Sequence, residues 1–241
     1  MSIRGLISVS IVSHGQEVLV EKLLENLQKL RRNNLEILLT LNISPKKDLD
    51  YSVYSFPIKL IENSTPKGFG ANHNAAFKQA SGDYFCVLNP DILLMDDPFD
   101  ELCKHLNIPS FGVVAPRIVD SDGVFQDSVR DYPSPLRILR RALSRRRIRA
   151  FAGVDPDWVA GMFMLFKPAV YSSLGGFDER YFMYCEDADI CFRLKKSGYK
   201  LAYIPEVKVI HDAQRSSHGE TKYLVWHLKS LIRFFISHPM L

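Results

Sequence analysis

The chain has 241 residues, 46% of them hydrophobic, and a net charge of only +4. That supports one large α/β domain or two small ones and excludes a largely disordered chain. No run of about 18 apolar residues is present, which argues against a membrane-spanning helix. Four cysteines (Cys86, Cys103, Cys185, Cys191) lack CxxC spacing and read as free thiols in a reducing compartment, not as a zinc or disulfide framework. The N-terminus shows no signal-peptide pattern, so a cytoplasmic protein is expected.

Leu6–Val12 (LISVSIV) reads as a buried strand ending at Ser13-His14-Gly15, and Val18–Leu30 carries helical apolar spacing. Glu36–Leu41 is a second strand, followed by a turn from Asn42 to Lys47. Ile58–Ile61 is a short third strand. Gly70–Ala80 reads as a helix opened by a glycine turn and closed by Gly82. Tyr84–Leu88 is a fourth strand running into Asn89-Pro90-Asp91. Strand and helix alternating in this rhythm predict parallel pairing in a doubly wound sheet, with ligands beyond the carboxyl ends of the strands. Ser13-His14, Asn42 and Asn89-Pro90-Asp91 all stand at such ends.

The second half is less regular. Val113–Val119 and Met162–Phe166 read as strands, and Ser134–Ala150 as a basic helix or mobile loop with seven arginines between Arg137 and Arg149. Lys200–Ile204 and Val207–Ile210 read as two short strands leading to His211. Lys222–Ile236 reads as a terminal amphipathic helix, with Trp226, Phe234 and Phe235 beside Lys222, Lys229 and Arg233.

Gly175–Arg193 (GGFDERYFMYCEDADICFR) sets five carboxylates among aromatic residues. Gly175-Gly176 supplies a turn. A helix then starts after Tyr184, with Asp187 as a candidate cap, Asp189 and Arg193 paired at i,i+4, and Gly198 as its stop. Adjacent carboxylates at the mouth of a cleft, Glu186 and Asp187, suit a cation or proton transfer. The plainer alternative is an acidic first turn on a surface helix.

Three further groups carry possible chemistry, each with a plain structural alternative. Asn63–Asn74 (NSTPKGFGANHN) holds Gly68 and Gly70, which permit close backbone approach to a ligand at a helix N-terminus, and Asn72 and Asn74, which can bond it. It is neither a GxGxxG fingerprint nor a P-loop. Asn89-Pro90-Asp91 ends a buried strand in a carboxylate suited to Mg²⁺ or Mn²⁺, though the same residues make an ordinary turn. His211 follows a strand and is a candidate metal ligand or a solvated histidine.

Taken together, VSIVSHGQ, GFGANHNAAF, YFCVLNPDI, WVAGMFMLF, GGFDERYFMYCEDADICFR and the strand ending at His211 resemble the family 2 inverting glycosyltransferases. The resemblance is to their rhamnosyltransferase-like branch. It implies a GT-A fold: an α/β architecture with a Rossmann-like, mostly parallel sheet. Residues 1–110 would form a nucleotide-sugar-binding half, 111–221 a smaller acceptor and catalytic half, and 222–241 a C-terminal helix. It implies Asp187 as general base with Glu186 beside it, and Asp91 and His211 as ligands of Mg²⁺ or Mn²⁺. Ser13, His14, Asn42, Asn63, Gly68, Gly70, Asn74 and Asn89 would hold the nucleotide sugar, and Trp158 and Gly161 would line the place where donor sugar and acceptor meet. Asn42 and Asn89 stand where many members carry acids.

The expected reaction moves a sugar, with L-rhamnose from dTDP-rhamnose the best match, onto a glycan or lipid-linked glycan of a bacterial surface polysaccharide. The expected place is the cytoplasm, and the basic run Arg137–Arg149 with the terminal helix suits peripheral contact with an anionic surface at the inner face of the cell membrane, and no nucleic acid. The alternative is a non-catalytic nucleotide-sugar or glycan-binding protein on the same fold. It would not need Asp91 and Asp187 at one cleft.

Overall fold

The structure, a computed structural model, describes residues 4–47, 49–132, 156–211 and 221–239. Its centre is an eight-stranded sheet. The strands are β1 (Ile7–Ser13), β2 (Leu35–Leu41), β3 (Ile58–Glu62), β4 (Tyr84–Leu88), β5 (Ile92–Leu93), β6 (Phe111–Val119), β9 (Phe163–Phe166) and β10 (Lys200–His211), in the order β3-β2-β1-β4-β9-β6-β10-β5. A separate two-stranded ribbon pairs β7 (Val129–Arg130) with β8 (Trp158–Val159). β1 to β4 pair in parallel, and so do β6 and β10, while β9 runs antiparallel between β4 and β6. The sheet therefore continues from residues before 110 into residues after it.

The helices cover both faces because each carries an apolar stripe. α1 (Glu17–Lys29) buries Leu19, Val20, Leu23, Leu24 and Leu27. α3 (Phe99–Leu106) buries Phe99, Leu102, Cys103 and Leu106. Both pack in one core with Ile7, Val9, Ile11 and Leu165. α2 (Phe69–Phe77), α4 (Pro168–Ser173), α5 (Glu186–Lys196) and α6 (Thr221–Ser237) stand against the other face, where Phe85, Phe166, Tyr171, Phe177 and Phe234 pack together.

Three expectations change. α2 stops at Phe77, short of the expected Ala80, and Gly82 instead donates its N–H to Ser8 Oγ at 2.8 Å. The two strands expected before His211 form one, β10, because the pairing shifts register between Ile204 and Lys208. That irregularity accommodates Pro205, which cannot donate to a ladder. α3 was not anticipated, although its burial at i, i+3, i+4 and i+7 is helical. The basic stretch from Arg137 to Arg149 lies outside the described residues, and so does the stretch from 212 to 220.

Candidate functional site

The topology gathers one edge. β4 is parallel to β1, and β9 enters antiparallel, so Phe163 lies opposite Leu88 at the carboxyl end of β4. β6 and β10 end on the same side, with Ile210 opposite Val119. Ser13-His14, Asn42, Asn63, Asn89-Pro90-Asp91, Gly161 and His211 therefore all lie at one edge of the sheet, where open α/β sheets bind ligands.

Asp91 and His211 meet there. β5 pairs antiparallel with β10, with Ile92 opposite His211. This places His211 Nε2 3.0 Å from Asp91 Oδ2. The other ring nitrogen, Nδ1, is 2.6 Å from Gln126 Oε1, and Gln126 Nε2 donates to the His211 carbonyl at 3.2 Å. Gln126 thereby fixes the imidazole orientation, a positioning residue the sequence reading missed. Asp91 Oδ1 is buried and has no hydrogen-bond partner. An unpaired buried carboxylate oxygen beside an imidazole is a costly arrangement that a hard cation would satisfy. No group of three or more His, Cys, Asp or Glu side chains that could hold a metal ion by itself occurs among the described residues. The two fit a cation whose other ligands come from a diphosphate, as Mg²⁺ sites with few protein ligands do.

Asp187 stands at the start of α5. It does not cap the helix. The N-cap is Cys185, in left-handed backbone at φ 66°, directly after Tyr184 at φ 71°. Two successive non-glycine residues in this region cost roughly 1–3 kcal/mol each and are typical of functional turns. Gly175 and Gly176, both at positive φ, open the same segment. Asp187 Oδ1 accepts the N–H of Ala188 at 2.8 Å and Oδ2 accepts the N–H of Gly161 at 3.1 Å. A Cβ on Gly161 would press on the Phe69 ring at 3.0 Å.

Burial raises the Asp187 carboxyl above the usual aspartate range, opposed by the two N–H donors and by the charge of Arg130. Glu186 is buried and has an unpartnered Oε2. Burial first, and the neighbouring Asp187 charge second, push it well above the usual range. Environment thus treats the two acids differently: Glu186 is pushed further toward its neutral form, while N–H donors and Arg130 oppose the rise at Asp187. Arg130, unremarked in the sequence, is held by Asp127 at 3.0 Å and sits over the Trp158 ring at 5.1 Å. Trp158 donates its indole N–H to the Asp131 carbonyl at 3.1 Å, so it packs the wall beside Asp187.

One short segment joins the two centres. Gly161 bonds Asp187, and the carbonyl of the next residue, Met162, accepts the N–H of Asn89 at 2.9 Å. Asp187 and Asn89, two residues before Asp91, are thus bonded by adjacent residues at the head of β9.

Other expected ligand residues are occupied within the protein. Asn42 accepts from Asn63 Nδ2 at 2.9 Å and from the Lys67 N–H at 2.8 Å, and donates to the Lys67 carbonyl at 3.0 Å. It lies 3.2 Å from His14 Nδ1. Asn63 also donates to Asn72 at 2.6 Å. These bonds hold the 63–67 loop beside His14, which is exposed. Ser13 is buried and accepts the N–H of Gln16 at 3.2 Å.

Gly68 and Gly70 serve packing. A Cβ would lie 2.6 Å from the Phe182 carbonyl oxygen at Gly68 and 2.6 Å from Phe177 Cβ at Gly70. Asn74 is buried, donating to the Phe177 carbonyl at 2.8 Å and accepting from the Phe177 N–H and the Tyr171 hydroxyl. These three tie α2 to the Gly175–Tyr184 segment, and so brace the acid pair from behind.

Residues 8–172 match the model described as glycosyl transferase family 2. Rhamnosyltransferase WbbL of Escherichia coli K12 is 31% identical over 258 aligned positions, covering 95% of this chain and 92% of the relative. The N-acetylglucosaminyl-diphospho-decaprenol L-rhamnosyltransferase of Mycobacterium tuberculosis is 27% identical, covering 95% and 83%. Among solved structures, the mannosyltransferase PcManGT of Pyrobaculum calidifontis, in complex with GDP-Man and Mn²⁺, superposes with a TM-score of 0.68 at 18% identity. The match covers 98% of this chain and 64% of that one, and the likeness is one of GT-A fold. The family model covers more than half of the chain and the Escherichia coli relative is matched over most of both chains, so the chain belongs to glycosyl transferase family 2.

Proposed function

We propose that this glycosyltransferase moves L-rhamnose from a nucleoside-diphosphate donor, dTDP-rhamnose, to a glycan or lipid-diphosphate-linked glycan in bacterial surface polysaccharide synthesis, with inversion. The observation that carries the reading is the shared anchor: Gly161 bonds Asp187, and the next residue, Met162, bonds Asn89, two residues before Asp91. The choice of rhamnose rests on the relatives over most of the chain, including the mycobacterial enzyme whose name states a diphospho-decaprenol acceptor.

In this reading Asp187 removes the proton from the acceptor hydroxyl. The acceptor oxygen bonds the anomeric carbon as its bond to the diphosphate breaks, through an oxocarbenium-like state. The electron pair leaves with the diphosphate, and the proton remains on Asp187. Burial pushes Glu186 toward its neutral form, which disfavours a second negative charge beside it, and the Gly161 N–H keeps the reacting carboxylate oriented. Asp91 and His211, oriented by Gln126, would hold Mg²⁺ or Mn²⁺, which supplies charge neutralisation for the departing diphosphate. The ordered 63–67 loop, with His14 and Asn42, borders the nucleotide side.

A donor screen tests this. Calorimetry and transfer assays with dTDP-rhamnose, UDP-sugars and GDP-sugars, with and without Mn²⁺, should show binding and turnover with dTDP-rhamnose. Turnover restricted to another sugar would replace the donor assignment and leave the family intact.

A further inference from the structure

We propose that the outer face of α6 is a docking surface for an anionic membrane, lying in the plane of the lipid headgroups. α6 has two faces, each with a period of four. Its inner face is docked: Trp226 packs on Phe182 at 4.8 Å, Ser230 donates to the Met183 carbonyl at 2.7 Å, Phe234 is fully buried, and His238 just beyond the helix bonds Asp189 at 2.8 Å. Offset by two residues, and so on the opposite side of a helix with 3.6 residues per turn, stand Leu224, Leu228, Ile232 and Ile236. They are 70, 57, 51 and 75% exposed, and Val225 beside them is 48% exposed. Trp226 and Phe234 are turned inward, and the aliphatic residues are turned out.

A continuous aliphatic face of this length needs an occupant. Charge selects which one. Lys229, exposed, and Arg233 border the stripe, and no Asp or Glu occurs anywhere in Thr221–Ser237. A second copy of α6 packed on this face would bring like charges together. Anionic headgroups complement them, and aliphatic side chains enter the acyl boundary, as in interfacial helices. No helix among the described residues is long and apolar enough to cross a membrane, so the helix would lie on the surface.

The inner face makes this placement matter for the site. Met183, which accepts from Ser230, lies in the strained segment before Asp187, and Asp189 lies one turn into α5. A membrane on the outer face of α6 would therefore lie one helix diameter, about 10 Å, from the segment that carries Asp187. That relevance rests on the proposed lipid-linked acceptor, but the docking does not.

The test is partition of the full chain onto mixed phosphatidylglycerol–phosphatidylcholine vesicles and onto pure phosphatidylcholine vesicles, at low and high salt. High salt screens the arginine run between 137 and 149 and leaves apolar insertion to be read. The variant Leu224→Ser/Leu228→Ser/Ile232→Ser changes only outward side chains and should melt like the parent. It should lower high-salt partition roughly tenfold or more, while Lys229→Glu/Arg233→Glu should lower low-salt binding to anionic vesicles alone. Unchanged partition in the triple variant, or no binding by the parent, overturns the proposal. So does a dimer in sedimentation velocity that the triple variant abolishes, which would assign the face to a second copy. Donor binding measured in parallel separates the outcomes: vesicle binding without dTDP-rhamnose binding would sink the donor reading and leave the docking standing.

Discussion

Asp187 Oδ2 accepts the backbone N–H of Gly161 at 3.1 Å across 26 residues of chain. This bond fixes one oxygen of the carboxylate, and Ala188 fixes the other, so the side chain has little freedom to rotate.

The two adjacent acids should therefore behave differently on mutation. Asp187→Asn is expected to lower kcat by about 10²–10⁴-fold with donor affinity nearly unchanged in calorimetry. Glu186→Gln, which keeps the neutral form that burial favours there, should retain most turnover. Near-normal turnover in Asp187→Asn would place the base elsewhere, with Glu186 the first suspect.

The pH profile follows from burial. Asp187 must be ionised to accept a proton, so activity is lost as pH falls through its raised pKa. The acidic limb of kcat should lie above that of an ordinary aspartate. Arg130 lowers that pKa by its charge, so Arg130→Gln should move the limb to higher pH. A limb that does not move would show that another group controls it.

Gln126 reaches Asp91 only through His211. Gln126→Ala should weaken Mn²⁺-dependent donor binding about 10–100-fold, the usual cost of losing a ligand's orienting partner, with binding in EDTA unaltered. Asp91→Ala and His211→Ala should each weaken it further. Equal donor affinity in the parent protein with and without EDTA would rule out a metal role for all three.

Glu36 tests the frame rather than the site. It is buried on β2, accepting from Ser8 at 2.5 Å, Ser81 N–H at 2.6 Å and Lys59 at 2.9 Å. Burial raises its pKa, but these donors overcome that and bring it to about 2, from 4.5. A depressed pKa contributes stability that is present above about 4.5 and lost as pH falls toward 2. Glu36→Gln should cost about 1–3 kcal/mol at neutral pH, read by denaturant melts, and flatten the acid limb of the stability curve. An unchanged limb would mean that other carboxylates set it.

Most of the parallel half was legible because its strands are apolar runs and its helices carry clear periodicity. Leu19, Leu23, Leu24 and Leu27 are buried as their spacing requires. The site was legible as residue types at strand ends. What stayed hidden depends on distance in sequence. Nothing near Gly68 or Asn74 announces that the neighbour awaiting them is Phe182 or Phe177, about a hundred residues on, so a packing glycine looks like a ligand-facing one. Gln126 and Arg130 were missed for the same reason: their partners, His211 and Asp187, are brought to them only by tertiary pairing. α3 was different, since Phe99, Leu102, Cys103 and Leu106 carried the signal locally.

The pairing of β5 with β10 also has a consequence for how the molecule assembles. Asp91 enters early in the chain and His211 120 residues later, and the two meet only when β10 lies between β6 and β5. The cost of closing that loop is repaid by the pairing of the flanking strands. Strands β1 to β4 pair with one another without β10. A nascent chain still lacking β10 therefore carries Asp91 without its partner.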